Sequence, residues 1–168
     1  MGLLHDLGKV MALWGEPQWC VVGDTFPVGC QFSDKIVFPY QFENNVDNSN
    51  EEYNSECGIY AEECGLDNLM MSWGHDEYMY QMLTHNQCTI PEEGLNMIRY
   101  HSFYPWHTGQ AYEHFCSHHD LEVIKPWVLE FNKFDLYSKG DDVPDVTAVW
   151  PYYKQLLVKY NLDGLLNW

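Results

Sequence analysis

Apolar side chains recur every three or four residues over five stretches of the chain, a spacing that places them on one face of an α-helix. The stretches that predict helices are residues 3–14, 66–83, 91–104, 120–138 and 144–160. No stretch alternates apolar and polar residues in the manner of a half-buried strand. We therefore predict an all-α fold, a helical bundle, in a single domain that covers residues 1–168.

Proline, glycine and acidic residues mark the predicted helix ends. A Gly-Glu-Pro run at residues 15–17 ends the first helix, and Pro91 lies in the first turn of the third. Asp120 is the predicted N-cap of the fourth helix. Glycine and proline punctuate residues 20–42, which predict an ordered loop, and the asparagine-rich residues 43–55 predict a solvated surface insertion without chemistry.

The first predicted helix combines an apolar stripe with a polar triplet. Its stripe consists of Leu4, Leu7, Met11 and Trp14. His5 and Lys9 share the opposite face because they are four residues apart, and Asp6 lies beside them. Burying an ionised carboxylate is costly unless a cation compensates it, and a metal ion is such a cation. An amphipathic helix that exposes these three polar residues explains the pattern equally well.

Three more ligand candidates lie on apolar faces of separate helices. His75 lies in the stripe of the second helix, His101 follows the apolar face of the third, and Asp135 continues the stripe of the fourth. A single histidine in such a stripe is more often a core residue whose hydrogen bonds are satisfied than a ligand. Asp135 is the sharper signal, because a buried aspartate needs a cation or several donors.

Together these residues predict a metal site inside the bundle. Imidazoles and carboxylates from several helices, without thiolates, suit iron, manganese or zinc with open coordination positions. Asp76 follows His75 but points about 100° away on a helix, so we do not expect it to be a ligand. Four of the other five histidines lie in polar segments and are expected to be exposed; they are His85, His114, His118 and His119. The fifth, His107, ends the aromatic run that follows His101.

Charge and cysteine content restrict the partners and the cellular compartment that the sequence allows. With 8 basic and 25 acidic residues the net charge is −17, which argues against nucleic acid or anionic membranes as partners and favours a small neutral or polar substrate. No apolar run is long enough for a membrane span, and no signal peptide is recognisable. The six cysteines form no CxxC pair, so we expect reduced thiols in a cytoplasmic protein. We also expect a monomer.

Longer motifs are similar to those of a known family. The His-Asp-x-Gly-Lys run resembles the HD-domain superfamily, whose helical members are mostly metal-dependent phosphohydrolases. Much narrower matches, in order and spacing, resemble the myo-inositol oxygenase family across essentially the whole chain. They are LLHDLGKV, VVGDTFPVGC, SWGHDEYMY, HSFYPWHTG and FNKFDLY.

This resemblance implies a non-haem di-iron enzyme that cleaves the ring of myo-inositol with O₂ to give D-glucuronate. The implied iron ligands are His5, Asp6, His75, His101 and Asp135, with Asp6 bridging two irons per subunit. The implied substrate contacts are Lys9, Gly23, Asp24, His101 and Ser102. Asp6 and Lys9 are the implied catalytic residues, and Lys9 would stabilise negative charge that develops on a substrate oxygen.

The sequence departs from the family pattern in one respect. The family has a sixth protein ligand, a histidine upstream of the His-Asp pair, and further substrate contacts on a segment that this sequence lacks. We therefore expect the chain to correspond to the C-terminal part of the enzyme. Two alternatives remain, an HD-type phosphohydrolase and a catalytically inactive remnant of the oxygenase.

Overall fold

The computed structural model describes residues 1–136 and 140–168, and over these residues it is helical without a sheet, which confirms the all-α prediction. The α-helices are α1 (Gln18–Val21), α2 (His75–His85), α3 (Glu92–Tyr100), α4 (Tyr104–His107), α5 (Lys125–Asp135) and α6 (Val146–Lys159). Short 3₁₀ helices cover Leu7–Trp14, Pro39–Phe42, Val46–Ser49, Leu66–Asn68 and Glu113–Phe115, and a π-helical turn covers Asp120–Ile124. The predicted end of the fourth helix, residues 137 and 138, lies outside the described residues.

The first helix is a 3₁₀ helix, Leu7–Trp14, preceded by turns, and its buried face differs from the predicted stripe. With three residues per turn, positions three apart align, so Gly8 and Met11 are buried together. Leu7 and Trp14, which the α-helical stripe places inside, are instead about half exposed. The predicted stripe was therefore wrong at these two positions, because the period of the helix is tighter than 3.6.

The predicted helix over residues 66–83 was wrong in its first half. After the turn Leu66–Asn68 the chain is extended and pairs with an earlier loop, through an isolated antiparallel bridge between Pro27 and Met71. The amide of Val28 donates to the carbonyl of Met70 at 2.9 Å. This pairing and the burial of the Met71 side chain outweigh the local helical pattern, so α2 begins only at His75.

The predicted helix over residues 91–104 also divides, here into α3 and α4. Pro105 has no N–H to donate to the carbonyl of His101, four residues earlier, so the helical hydrogen bonds cannot continue there. The imidazole Nε2 of His107 lies 3.0 Å from that carbonyl and satisfies it instead. The chain turns at residues 101–103, and the side chains of His101 and Ser102 stay buried beside α2.

The start of the fourth predicted helix is capped by a different residue from the one expected. The Ser117 hydroxyl accepts from the Asp120 amide at 3.2 Å, while the Asp120 carboxylate accepts from the Ser117 amide at 2.8 Å. This reciprocal pair is a capping box, in which Asp120 is the third helical position and not the N-cap. The predicted last helix is confirmed, and Asp145 caps it by accepting from the amide of Thr147.

Two apolar clusters hold these elements together, and α3 contributes to both. Ile98 packs in a cluster with α2 and Leu162, and Tyr100 packs in a larger cluster around Phe103 and Trp106. A buried ion pair also joins α3 to α2, since the Arg99 guanidinium donates to the Glu77 carboxylate at 2.8 Å. The first turn of α2 and the end of α3 are therefore held as one rigid unit.

Within the parts of the chain that the structure describes, no helix is both long and apolar enough to cross a membrane.

Gly8 sets the distance between the first 3₁₀ helix and α2. A Cβ at this position would lie 2.0 Å from the backbone oxygen of His75, a contact that only backbone movement can relieve. We predict that Gly8→Ala lowers the free energy of unfolding by about 3 kcal/mol, at the upper end of the usual cost of overpacking. Urea unfolding measures this, with Gly164→Ala as the matched control, since nothing lies within 4 Å of a Cβ there. Equal stability of the two variants would contradict the prediction.

Candidate metal centre and substrate cleft

Three buried imidazoles are oriented in the same way, each through its Nδ1 atom. In every case Nδ1 lies within hydrogen-bonding distance of a backbone carbonyl, so the Nδ1–H is donated and the Nε2 lone pair points away from the backbone. The pairs are His5 with Gly2 at 3.1 Å, His75 with Val21 at 2.7 Å, and His101 with Ile98 at 2.8 Å. This is the second-shell arrangement of metal-binding histidines.

The Nε2 atoms converge on the carboxylate of Asp6. His75 and His101 face each other with their Nε2 atoms 3.1 Å apart, and these atoms lie 3.5 and 3.7 Å from Asp6 Oδ1. The other oxygen, Oδ2, lies 3.7 Å from Nε2 of His5. Lone pairs that face one another and a carboxylate repel unless a proton or a metal ion lies between them, so the arrangement fits a bound cation.

Asp135 completes the group from the end of α5. Its Oδ1 lies 3.0 Å from Nε2 of His5, and its Oδ2 accepts a hydrogen bond from the hydroxyl of Tyr104 at 3.3 Å. The structure thus brings together all five residues that the sequence predicts as metal ligands. They divide around Asp6 into two sets: His75 and His101 face one carboxylate oxygen, and His5, which contacts Asp135, faces the other.

The electrostatics of the site favour an ionised carboxylate and a neutral imidazole. His101, followed by Lys9 and His5, holds the pKa of Asp6 well below its ordinary value against the opposing effect of burial. Burial lowers the pKa of His75. Burial also acts to lower the pKa of His101, but Asp6 and other carboxylates outweigh it and the net shift is upward. Deprotonated carboxylates and neutral imidazoles are the forms that bind metals, so the pKa shifts of Asp6 and His75 favour metal binding and that of His101 opposes it.

A cleft of about 360 Å³ opens directly over this group of ligands. The residues predicted to contact substrate all line it, namely Lys9, Gly23, Asp24, His101 and Ser102. The Lys9 ammonium pairs with Asp6 Oδ1 at 2.5 Å, three residues earlier on the same helix. The cleft wall therefore combines a cation, hydroxyl and carboxylate oxygens and the candidate metal ligands, as a site for a small polar molecule requires.

The loop that carries Gly23 and Asp24 is tied to two neighbouring segments through Thr25. The Thr25 amide donates to the carbonyl of Ser102 at 2.9 Å, and its hydroxyl donates to the carboxylate of Asp76 at 2.5 Å. Thr25 is 1% exposed and Asp76 is not exposed at all. Asp76 thus faces the loop and not the metal site, as the helix-face argument predicts, and it fixes the loop over the cleft.

Sequence reasoning missed two residues of the site. Tyr104 lines the cleft and contacts Asp135, and buried His107 supports the carbonyl of His101. Burial lowers the pKa of His107 to about 4, so this imidazole is neutral. In the sequence, only the aromatic run after His101 pointed to these two residues, and such a run predicts core packing. Phe103, Pro105 and Trp106 in this run are indeed buried.

Of the histidines expected to be exposed, three are exposed and one is not fully so. His85, His118 and His119 lie at the surface. His114 is partly covered because its ring packs on Phe115, with the ring centroids 4.0 Å apart, and its Nε2 lies 3.2 Å from the carbonyl of Glu56. This expectation was wrong for His114, although the residue lies apart from the cleft lining.

Comparison with known proteins identifies the family. The family model described as myo-inositol oxygenase matches residues 1–168. The chain belongs to the myo-inositol oxygenase family. The inositol oxygenases of Danio rerio and Homo sapiens are 57% and 56% identical to it over its whole length, and that of Dictyostelium discoideum is 50% identical over 99% of it. The chain spans about three fifths of the length of these curated relatives, between 58% and 60%.

Membership of the myo-inositol oxygenase family agrees with the HD-domain-like helical bundle predicted from the His-Asp-x-Gly-Lys run. It also implies use of a metal, and His5, Asp6 and His101 form a group whose ligand atoms all lie within 4.8 Å of one another and could hold a metal ion. The donor set contains no thiolate, and each of its imidazoles is held by a second hydrogen bond. The residues present in this myo-inositol oxygenase family member therefore fit a metal centre.

The Thr25 contact yields a stability prediction. Thr25→Val keeps the shape of the side chain but leaves the buried Asp76 carboxylate without its hydroxyl donor, at a cost of about 1–3 kcal/mol. Thr25→Ser keeps the donor and loses one methyl group, worth about 0.8 kcal/mol. We expect the valine variant to be the less stable of the two in urea unfolding. If serine costs as much as valine, methyl packing and not the hydrogen bond holds this loop.

Proposed function

We propose that the protein is an inositol oxygenase, which converts myo-inositol and O₂ to D-glucuronate at a centre of two iron ions. The observation that carries the proposal is the convergence of three Nδ1-tied imidazoles and two carboxylates at the base of a polar cleft. Family membership and relatives named inositol oxygenase supply the reaction.

We propose His5, Asp6, His75, His101 and Asp135 as the residues that hold the iron ions. The division of these residues around Asp6 supports a bridging role, because each carboxylate oxygen faces a different set of ligands. When bound, the iron pair would polarise an inositol oxygen and activate O₂, one atom of which enters the product while the other leaves as water.

The protein's own residues bind and orient the polyol. Lys9 lies beside Asp6 at the cleft wall, where its ammonium can donate to a substrate oxygen and stabilise negative charge as it develops there. Asp24 can accept from one ring hydroxyl, and its own position is held by the amide of Val37 at 3.0 Å. Ser102 adds a hydroxyl next to His75, 3.2 Å from its Nε2. Several such contacts fix which face of the ring meets the metal.

The overall charge agrees with this assignment. A net charge of −17 repels phosphorylated substrates, whereas inositol and O₂ are neutral. An HD-type phosphohydrolase needs to attract anions to the same cleft. Charge alone separates inositol oxygenation from phosphoester hydrolysis only weakly, so a test of the function needs a phosphoester substrate as a second arm.

The test is a single-turnover and steady-state assay on anaerobically reconstituted protein. Protein loaded with Fe²⁺ and a reductant, then given myo-inositol and O₂, should form D-glucuronate and consume O₂ in equal amounts. Metal analysis should find two irons per chain, and zero or one would favour the inactive remnant. A chimera that adds the unmatched part of the Danio rerio relative is tested in parallel. If neither protein forms glucuronate, or if phosphoester hydrolysis without O₂ is the faster reaction, the proposal is wrong.

Lys9 provides a second prediction for this site. Lys9→Met keeps most of the apolar stem and removes the charge, so kcat for glucuronate formation should fall about 100-fold to 1000-fold, the usual effect of losing one donor to a developing oxyanion. The iron content should stay at the level of the unaltered protein. Lys133→Met is the matched control, because Lys133 is exposed and pairs with Glu130 on the surface of α5. A kcat for Lys9→Met equal to that of the control would exclude the catalytic role.

A further inference from the structure

Tyr104 is a cleft residue that neither the motif analysis nor the proposed reaction uses. It begins α4, three residues after His101, and its hydroxyl reaches across to the end of α5. The phenol lines the cleft over the candidate metal centre together with Lys9 and Asp24. A phenol hydroxyl is a hydrogen-bond donor at neutral pH, and here a carboxylate acceptor lies within its reach.

The contact with Asp135 is specific to one carboxylate oxygen. Oδ2 of Asp135 accepts from the Tyr104 hydroxyl at 3.3 Å, while Oδ1 faces His5 Nε2 at 3.0 Å. Oδ1 is thus the oxygen that can bind a metal ion beside His5, and Oδ2 is held by the hydrogen bond from the phenol. A hydrogen bond to the second oxygen of a ligating carboxylate fixes its rotation and so determines which oxygen meets the metal.

The backbone of Tyr104 is held firmly enough for this role. Its carbonyl accepts from the amides of Thr108 at 3.2 Å and Gly109 at 2.9 Å, and from the Thr108 hydroxyl at 3.0 Å. Its ring packs against the buried imidazole of His107, with the centroids 4.9 Å apart. The phenol is therefore presented from a tight turn and not from a mobile loop.

We propose that Tyr104 is a positioning residue of the metal centre, whose hydroxyl orients the Asp135 carboxylate toward the ion that it shares with His5. The proposal rests on the ligand set given under the proposed function, and it does not depend on which substrate is oxidised. Tyr104 acts through Asp135 and is not itself a ligand.

The test measures binding of Fe²⁺ by anaerobic calorimetric titration, without any activity assay. Tyr104→Phe keeps the ring and removes only the hydroxyl, so the weaker of the two iron affinities should fall about 10-fold to 100-fold, the usual effect of losing a second-shell partner. Tyr78→Phe is the matched control, because the buried Tyr78 hydroxyl has no hydrogen-bond partner among the described residues. The control should bind iron as the unaltered protein does.

A double-mutant cycle separates positioning from general loosening of the fold. In the Asp135→Asn background the acceptor is a neutral amide, so loss of the hydroxyl should weaken iron binding at least threefold less than it does beside the carboxylate. An equal loss in both backgrounds, an unchanged affinity for Tyr104→Phe, or an unaltered protein that binds no Fe²⁺ overturns the proposal. Iron binding that follows the cycle, when neither this protein nor the chimera forms glucuronate, would overturn the proposed function alone.

Discussion

The centre of this molecule depends on one constraint, the donation of three imidazole Nδ1–H groups to backbone carbonyls. His5, His75 and His101 each donate the Nδ1 proton to a backbone carbonyl, so their Nε2 lone pairs face the interior of the site. The carboxylate of Asp6 lies there. Acceptors that meet acceptors are unfavourable in a buried site, and a cation removes the conflict. The backbone geometry of separate segments therefore determines the chemistry of the cleft.

Two close approaches make this convergence possible. The first is at Gly8, where the absence of a side chain lets the helix that carries Asp6 touch the backbone of His75. The second is at Thr25, which links the loop of Gly23 and Asp24 to Asp76 and to the carbonyl of Ser102. Both contacts are close in sequence to candidate ligand residues, so the same few peptides hold the candidate metal centre and the cleft above it. A substitution that moves the candidate ligands is therefore expected to move the cleft residues as well, and the reverse also holds.

Much of the site could be predicted from the sequence, while parts of the fold could not. Asp135 was predictable because an aspartate that continues an apolar stripe needs a compensating partner, and the structure gives it His5 and Tyr104. The extended pairing of Met71 was not predictable, because tertiary hydrogen bonds override local periodicity there. The 3₁₀ period of Leu7–Trp14 was not predictable either, because apolar residues spaced by three or four positions do not separate a 3₁₀ helix from an α-helix.

Tyr104 was missed for a related reason. An aromatic run predicts burial of its rings, but it does not predict where a single hydroxyl points.

The positive charge that the centre requires must come largely from a bound ion. The chain has 8 basic residues against 25 acidic ones, and several of the basic groups pair with carboxylates away from the cleft, namely Arg99 with Glu77, Lys125 with Glu113 and Lys133 with Glu130. Lys9 is next to the centre, where its ammonium pairs with Oδ1 of Asp6.

Among the described residues, Lys9 is the one basic side chain that lines the cleft, and its single charge does not balance two carboxylates and three inward lone pairs. Binding of metal ions should therefore contribute to the stability of the fold, because a bound ion removes the repulsion between the carboxylates and the lone pairs.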